Sequence, residues 1–270
     1  MTSIAVGTGK AVQTRTGAGE PGSDSGEAPG PGTPADEARG LCRADLEVNT
    51  LRRVLERSPL AGDLLSEAEL EASLQDALAS PHRQPDVWLF AYGSLIWNPV
   101  LEFDERLVAT VHGYHRSFCL WSRVNRGTWD RPGLVLGMDR GGRCTGVAYR
   151  VPERLAESEL RLLWRREMLL GSYAPRWVLA THGKQAFRAL AFVVHRGRPG
   201  YSGRQSDEAT VDRLVQARGA IGTGLDYLRQ TIDGLAAIGI RDPNLMHLDA
   251  LARARLGEDE PHLPRADLQI

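Results

Sequence analysis

The chain has 270 residues, of which 42% are apolar and 25% charged, and its formal net charge is -1. These are the values of an ordinary globular protein of one or two domains, and a charge so close to zero argues against nucleic acid or an anionic membrane as a partner. No stretch approaches the roughly 18 consecutive apolar residues of a membrane-spanning helix, and no signal-peptide pattern is present, so we expect a cytoplasmic protein.

The cysteines and histidines argue against a metal site. Cys42, Cys119 and Cys144 are odd in number and lack the C-x-x-C spacing of zinc ligands, which fits reduced thiols in a cytoplasm. His112 and His115 are the only close pair of histidines, and a spacing of three places them on opposite faces of a strand. We therefore expect neither a metal nor a structural disulfide.

The N-terminal part of the chain divides into two segments of different composition. Residues 1–40 are dominated by Gly, Pro, Ala, Ser and Thr, too few apolar groups to offset the entropy of ordering, so this segment is predicted to be a disordered tail. Residues 41–85 carry two short helical patterns, the second opened by Ser66 and Glu69 in capping-box spacing. We expect a helical extension that packs on the main domain, and a partner-binding role for it stays open.

The main domain is predicted over residues 86–257, followed by a C-terminal tail, 258–270. It opens with a buried strand that Gly93 and Ser94 stop. Including this one, the strand candidates are Val87–Tyr92, Leu107–His112, Tyr114–Ser122, Leu134–Met138, Cys144–Val151, Trp177–Thr181 and Phe187–His195. Helices are predicted over Glu153–Leu170, Glu208–Arg218, Leu225–Ile238 and Asn244–Leu256. Strands that come first and helices that come later predict an α+β fold.

The turn after the first strand is a candidate binding loop. Gly93 allows a sharp turn and the close approach of a ligand, and consecutive amide N–H groups in such a turn can hold an anion or a developing oxyanion. Ser94 adds a hydroxyl donor, and Tyr92 and Trp97 bracket the turn. A tight turn that merely ends a core strand fits the same residues equally well.

A single carboxylate lies on the apolar face of the helix that begins at Glu153. At roughly 100° per residue, Glu167 falls on one stripe with Leu160, Leu163, Trp164 and Gly171. It either forms an ion pair, for example with Arg166, or points inward, where poor hydration would raise its pKa toward that of a general base. Both interpretations stay open at this point.

Further donors lie elsewhere in the main domain. The segments Arg126–Thr128 and Arg131–Gly133 form a loop that could hold a substrate carboxylate or close over a pocket, or could be a solvent-facing connection. Hydroxyl contacts could come from Tyr149, Tyr173 and Tyr227, although each also fits the edge of a core. No nucleophile elbow, zinc-protease or phosphate-loop motif is present.

Five blocks of this sequence resemble, in family order, the ChaC-type glutathione-specific γ-glutamylcyclotransferases. They are Trp88–Pro99, Gly113–Phe118, Arg126–Thr128, Gly146–Arg150 and Trp164–Met168 with the residues up to Tyr173. The resemblance runs from about Val87 to about Leu256, and the sequence looks most similar to bacterial members of the family. It implies a small mixed β-barrel, closed or nearly closed, with flanking helices, the γ-glutamylcyclotransferase fold.

The resemblance also implies an activity and a set of site residues. The family converts glutathione to 5-oxoproline and cysteinylglycine without metal or organic cofactor, and its catalytic glutamate corresponds to Glu167. The expected substrate contacts are Ala91, Tyr92, Gly93, Ser94, Leu95, Ile96, Arg126 and Tyr173. Ala91 stands where many relatives have glycine, so its methyl group is expected to narrow the loop slightly.

Other functions remain possible on the sequence alone. A cyclotransferase acting on other γ-glutamyl amino acids or amines would use the same residues, and a non-catalytic module could use the pocket to bind a small anion. We expect glutathione as the partner and a monomer or weak dimer as the oligomeric state.

Overall fold

The fold is described from a computed structural model, which covers residues 41–258 and residue 262. The predicted disordered tail, 1–40, lies outside the described residues, as does most of the predicted C-terminal tail. Within the described part, no helix has the length and apolar character needed to cross a lipid bilayer.

Helices flank five barrel strands, and the order of elements follows the sequence prediction. The N-terminal helices are α1 (Arg43–Glu47), α2 (Thr50–Glu56) and α3 (Glu67–Leu78). The strands and the helix between them are β1 (Val87–Ala91), β2 (Glu105–Ser122), β3 (Gly133–Val151), α4 (Glu153–Glu167), β4 (Tyr173–His182) and β5 (Gln185–Val194). The rest are α5 (Asp207–Gln216), the short strands β6 (Arg218–Gly219) and β7 (Gly222–Thr223), α6 (Gly224–Ala237) and α7 (Pro243–Leu256).

The five longer strands form a closed barrel in the order β1-β3-β2-β4-β5. Most neighbours are antiparallel, whereas β1 and β5 are parallel and pair at Trp88 with Ala189. This pairing closes the barrel and makes it mixed. The predicted α+β fold with a small mixed barrel and flanking helices is therefore confirmed.

Two pairs of predicted strands are in fact two long strands. The candidates on either side of Gly113 are halves of β2, and the two that follow are halves of β3. Gly113 has a φ of 84° and lies opposite Gly141 and Gly142, which also have positive φ, so a bulge bends both strands without ending them. The prediction of separate strands was wrong because glycine here marks a bulge rather than a turn.

The N-terminal extension also differs in detail from its prediction. The first of the two expected helical patterns is two helices, α1 and α2, since Asn49 between them adopts the left-handed conformation with a φ of 57°. A short 3-10 turn, Ala61–Asp63, precedes α3. The predicted capping box is present, because Ser66 Oγ accepts from the Glu69 N–H at 3.2 Å and Glu69 Oε2 accepts from the Ser66 N–H at 2.7 Å.

The extension shares the hydrophobic core of the barrel domain. Leu70 and Leu74 of α3 are buried in the same cluster as Trp164 and Leu163 of α4. Trp164 donates its indole N–H to Ser73 Oγ at 3.2 Å. The extension therefore packs on the main domain as predicted, and its position determines what surrounds α4.

Candidate active site

The loop after β1 and the last turn of α4 meet at one end of the barrel. The loop itself is a tight helical turn, in which the Ile96 N–H donates to Gly93 O at 2.9 Å and the Asn98 N–H donates to Ser94 O at 2.8 Å. The buried Tyr149 hydroxyl lies 3.1 Å from Leu95 O and 3.2 Å from the next carbonyl oxygen. These contacts hold the backbone of the loop on the side of Tyr149. The opposite side of the loop faces α4.

Arg166 connects this loop to Glu167. Its Nε lies 3.0 Å from Glu167 Oε1, its Nη1 donates to Asn98 O at 2.7 Å, and its Nη2 donates to Ser94 Oγ at 2.8 Å. The Glu167 side chain is 14% exposed. Both interpretations of Glu167 thus describe the same side chain, because it points inward and is also paired with Arg166.

The surroundings of Glu167 act on its pKa in opposite directions. Burial, the larger effect, raises the pKa above the usual value of a glutamate, while the Arg166 guanidinium lowers it. The net effect is a raised pKa. A carboxyl group of this kind exchanges a proton near neutral pH more readily than an exposed glutamate does.

Three tyrosine hydroxyls lie around the carboxylate. Burial raises the pKa of Tyr227 to about 12 and the pKa values of Tyr92 and Tyr173 well above the usual value, so all three stay protonated at neutral pH. Tyr92 donates to Phe192 O at 2.7 Å. A Cβ atom on Gly93 would come within 2.9 Å of the Tyr227 hydroxyl oxygen, which explains why this loop position is a glycine.

Two adjacent cavities with lining residues in common lie beside these groups. The inner one, about 20 Å³, is lined by Tyr92, Gly93, Ser94, Leu95, Glu167 and Tyr173, among others. It has room for about one water molecule. The outer one, about 180 Å³, shares Ser94, Glu167, Tyr173 and Tyr227 with it. The carboxylate and the serine hydroxyl therefore lie at the junction of the two cavities.

Arg126 lies in the wall of the outer cavity and not on the surface. It is 3% exposed, and its guanidinium lies 5.6 Å from the centre of the Tyr227 ring. Nη1 donates to Ile221 O at 2.8 Å and Nη2 donates to Gln230 Oε1 at 3.1 Å. Among the described residues, Arg126 forms no ion pair with a carboxylate. The solvent-facing interpretation of this arginine does not hold.

The structure brings most of the expected site residues together and leaves two apart. Tyr92, Gly93, Ser94, Leu95, Tyr173 and Glu167 line the inner cavity, and Arg126 lines the outer one. Ala91 and Ile96 are fully buried and line neither cavity. Ala91 pairs with Val147 inside the barrel, so its methyl group does not narrow the pocket.

Sequence reasoning missed that Arg166 links Glu167 to the loop after β1 and that the Asn98 carbonyl is one of its acceptors. The sequence predicts Arg166 only as a charge partner of Glu167, whereas its guanidinium also donates to Ser94 Oγ and to the backbone carbonyl of Asn98. Asn98 lies in the first resembling block, which could have drawn attention to it. In residues 41–258, no group of three His, Cys, Asp or Glu side chains is arranged to hold a metal ion.

Comparisons with known proteins point to one family. The family model described as ChaC-like protein matches residues 87–255. A protein of Escherichia coli (strain K12) named glutathione-specific gamma-glutamylcyclotransferase is 39% identical over 199 residues, which are 73% of this chain and 86% of that protein. The Homo sapiens glutathione-specific gamma-glutamylcyclotransferase 1 is 34% identical over 158 residues, 57% of this chain and 71% of the human one.

A solved structure shares the fold. The crystal structure of a selenomethionine-labelled gamma-glutamyl cyclotransferase specific to glutathione from yeast superposes with a TM-score of 0.58 at 20% sequence identity. The superposition covers 63% of this chain and 96% of the yeast one.

Proposed function

The chain belongs to the ChaC-like protein family, and from this membership we propose that it is a glutathione-specific γ-glutamylcyclotransferase with Glu167 as general acid and base. The observation that carries the proposal is the contact of Arg166 with both Glu167 and Ser94, which joins the carboxylate to the loop after β1. The products are 5-oxoproline and cysteinylglycine.

The reaction is a cyclisation within the γ-glutamyl group. The α-amine attacks its own γ-carbonyl carbon and forms a five-membered lactam, while the bond between that carbon and the cysteine nitrogen breaks. Glu167 in its ionised form accepts a proton from the amine and returns one to the departing nitrogen. No water is consumed, and the protein's tasks are to fold the substrate and to move the proton.

The loop supplies donors for the oxygen on which charge develops. Within the described residues, the amide N–H groups of Ser94 and Leu95 have no hydrogen-bond partner, and both residues line the inner cavity. The Ser94 hydroxyl accepts from Arg166 and keeps its own proton to donate. We assign these groups to the γ-carbonyl oxygen, because fixed donors at such a position stabilise a tetrahedral intermediate.

The charge of Arg126 suits a substrate that carries carboxylates. Glutathione has two carboxylates and one ammonium at neutral pH, and the Arg126 guanidinium beside the outer cavity forms no ion pair among the described residues, with the Asp226 carboxylate acting on it only at longer range. Tyr173, at the junction of the two cavities, contributes a neutral hydroxyl. Ala91 and Ile96, behind the loop, would support its shape without touching the substrate.

The test compares two Glu→Gln variants on the same helix. Glu167→Gln is expected to fold, to bind glutathione in calorimetry and to lose on the order of 10²–10⁴ in turnover. Glu157→Gln, which changes an exposed carboxylate of α4, is the matched control and should keep full activity. Near-normal release of 5-oxoproline by Glu167→Gln would refute the proposed role, and a panel of other γ-glutamyl compounds measures the specificity.

We further propose a cytoplasmic location and a monomer or weak dimer. All three cysteines are free thiols, and Cys119 and Cys144 are buried, which fits a reducing compartment. Light scattering after size-exclusion chromatography measures the oligomeric state directly.

A further inference from the structure

The N-terminal extension reaches the candidate active site. The outer cavity that contains Glu167 and Ser94 is lined on one side by four leucines of the extension, Leu41, Leu51, Leu55 and Leu60. These leucines precede the segment that matches the family model, which begins at residue 87. Part of the cavity wall is therefore supplied from outside the family domain.

A chain of hydrogen bonds connects the extension to the catalytic carboxylate. The side-chain amide of Asn98 donates to Leu41 O at 2.8 Å. The backbone carbonyl of Asn98 accepts from Arg166 Nη1 at 2.7 Å. Arg166 in turn contacts Glu167. The asparagine that holds the start of the extension thus also orients the arginine that pairs with the catalytic group.

The extension is also fixed along α4. Arg43 forms a bidentate pair with the buried Glu159, at 2.7 Å and 2.8 Å. The Leu65 N–H donates to Leu169 O at 2.8 Å, just after the end of α4. Such contacts on both sides of the helix end hold the leucines in a defined place, as a binding wall requires.

The two halves of glutathione would occupy different parts of this space. The γ-glutamyl half must lie at their junction, where Glu167 and the free loop amides are. The cysteinylglycine half then extends into the outer cavity, between the leucines of the extension and the strand-end segment from Arg123 to Arg126. The leucines suit the cysteine methylene and thiol, while the arginines suit the terminal carboxylate.

We propose that Leu51, Leu55 and Leu60 form the apolar wall of the cysteinylglycine subsite, so that the N-terminal extension determines specificity for the leaving half of glutathione. This inference rests on the proposed function. It makes the extension a part of the active site rather than an accessory that only packs on the domain.

The experiment uses the two products as separate probes of the full-length chain. Leu51 is half-buried at the edge of the core, so Leu51→Ala removes contact area in the cavity and disturbs the core less than truncation of the buried Leu55 or Leu60 would. We expect the KM for glutathione and the inhibition constant of cysteinylglycine to rise together, by about five- to tenfold. The inhibition constant of 5-oxoproline should stay unchanged, which a general loss of structure would not allow.

The matched control is Leu78→Ala, which shortens another half-buried leucine of the extension that does not line the cavity. Leu51→Glu adds a stronger test, because a carboxylate beside the subsite should weaken cysteinylglycine binding further. Unchanged cysteinylglycine inhibition in both Leu51 variants, with wild-type turnover of glutathione, would overturn the inference alone. Absence of 5-oxoproline release by the wild-type chain would instead overturn the proposed function.

Discussion

Arg166 distributes one guanidinium over three partners, the neighbouring Glu167 and two groups of the loop after β1. Its charge lowers the pKa of Glu167, which burial raises, and its planar guanidinium holds the carboxylate and the loop at a fixed distance. A lysine could supply the charge but not the several N–H donors in one plane. Electrostatic tuning and positioning by this residue can therefore be separated by substitution.

The pH dependence of kcat/KM tests the tuning. In the proposed mechanism Glu167 must be ionised to accept the proton, so activity should fall as the pH decreases through its raised pKa. In Arg166→Gln the opposing charge is gone, so the pKa rises further and the acidic limb of the profile shifts to higher pH. Arg166→Lys keeps the charge and should lose rate with a smaller shift. An acidic limb at the same pH in all three proteins would contradict this account.

Gly93 is expected to tolerate no side chain, for a reason of space. In Gly93→Ala the new Cβ would meet the Tyr227 hydroxyl oxygen at 2.9 Å, so the loop or the tyrosine must move. We expect a folded protein with a rate reduced by up to about 10²-fold, since displacement of reacting groups by about 1 Å has effects of this size. The double variant Gly93→Ala/Tyr227→Phe, measured against Tyr227→Phe alone, should recover part of the loss.

At the scale of elements, α4 is held by the extension through a buried charge. Glu159 is 1% exposed and receives both terminal nitrogens of Arg43 as well as the Glu102 N–H at 3.0 Å. Removal of the arginine would leave a buried carboxylate without its cation. This buried pair adds to the contacts of Arg165, whose Nη1 donates to Leu46 O at 3.3 Å and to Glu47 O at 3.1 Å, in attaching α1 to α4.

Arg43→Met should lower the free energy of unfolding by about 1.5–3 kcal/mol, the usual range for a hydrogen bond to a charged group. Arg154→Met is the control, because Arg154 is an exposed arginine of α4 whose carboxylate partner is 3.8 Å away, and such surface pairs contribute about 0–1 kcal/mol. Urea denaturation monitored by circular dichroism measures both. Equal midpoints for the two variants would show that the buried pair has no special importance.

The sequence predicted the elements better than their connections. The sequence pattern locates every barrel strand, but it predicts a strand end at Gly113 because glycine is typical of both a bulge and a turn. The stripe of α4 placed Glu167 correctly, since helical periodicity is local. The closure of β1 on β5 and the arrival of Leu51 and Leu60 at the cavity depend on contacts between distant segments, which local patterns do not encode.

At the scale of the whole molecule, the two N-terminal segments should respond differently to deletion. Leu70 and Leu74 of the extension belong to the common core, and burial of each such side chain contributes about 1.5–3 kcal/mol. A variant without residues 1–40 is expected to keep both its melting temperature and its turnover of glutathione. A variant without residues 1–80 should lose cooperative unfolding and activity, and its full activity would refute a shared core.

The end of α4 has an electrostatic consequence of its own. Glu167 is the last residue of that helix, where the aligned peptide dipoles add a partial negative charge of about half a unit. This field disfavours the ionised carboxylate and so acts in the same direction as burial. Arg165 and Arg166, in the same last turn, supply the opposing positive charge. The length of α4 thus affects the pKa of Glu167, because in a helix one turn longer the negative end of the dipole would lie past this carboxylate.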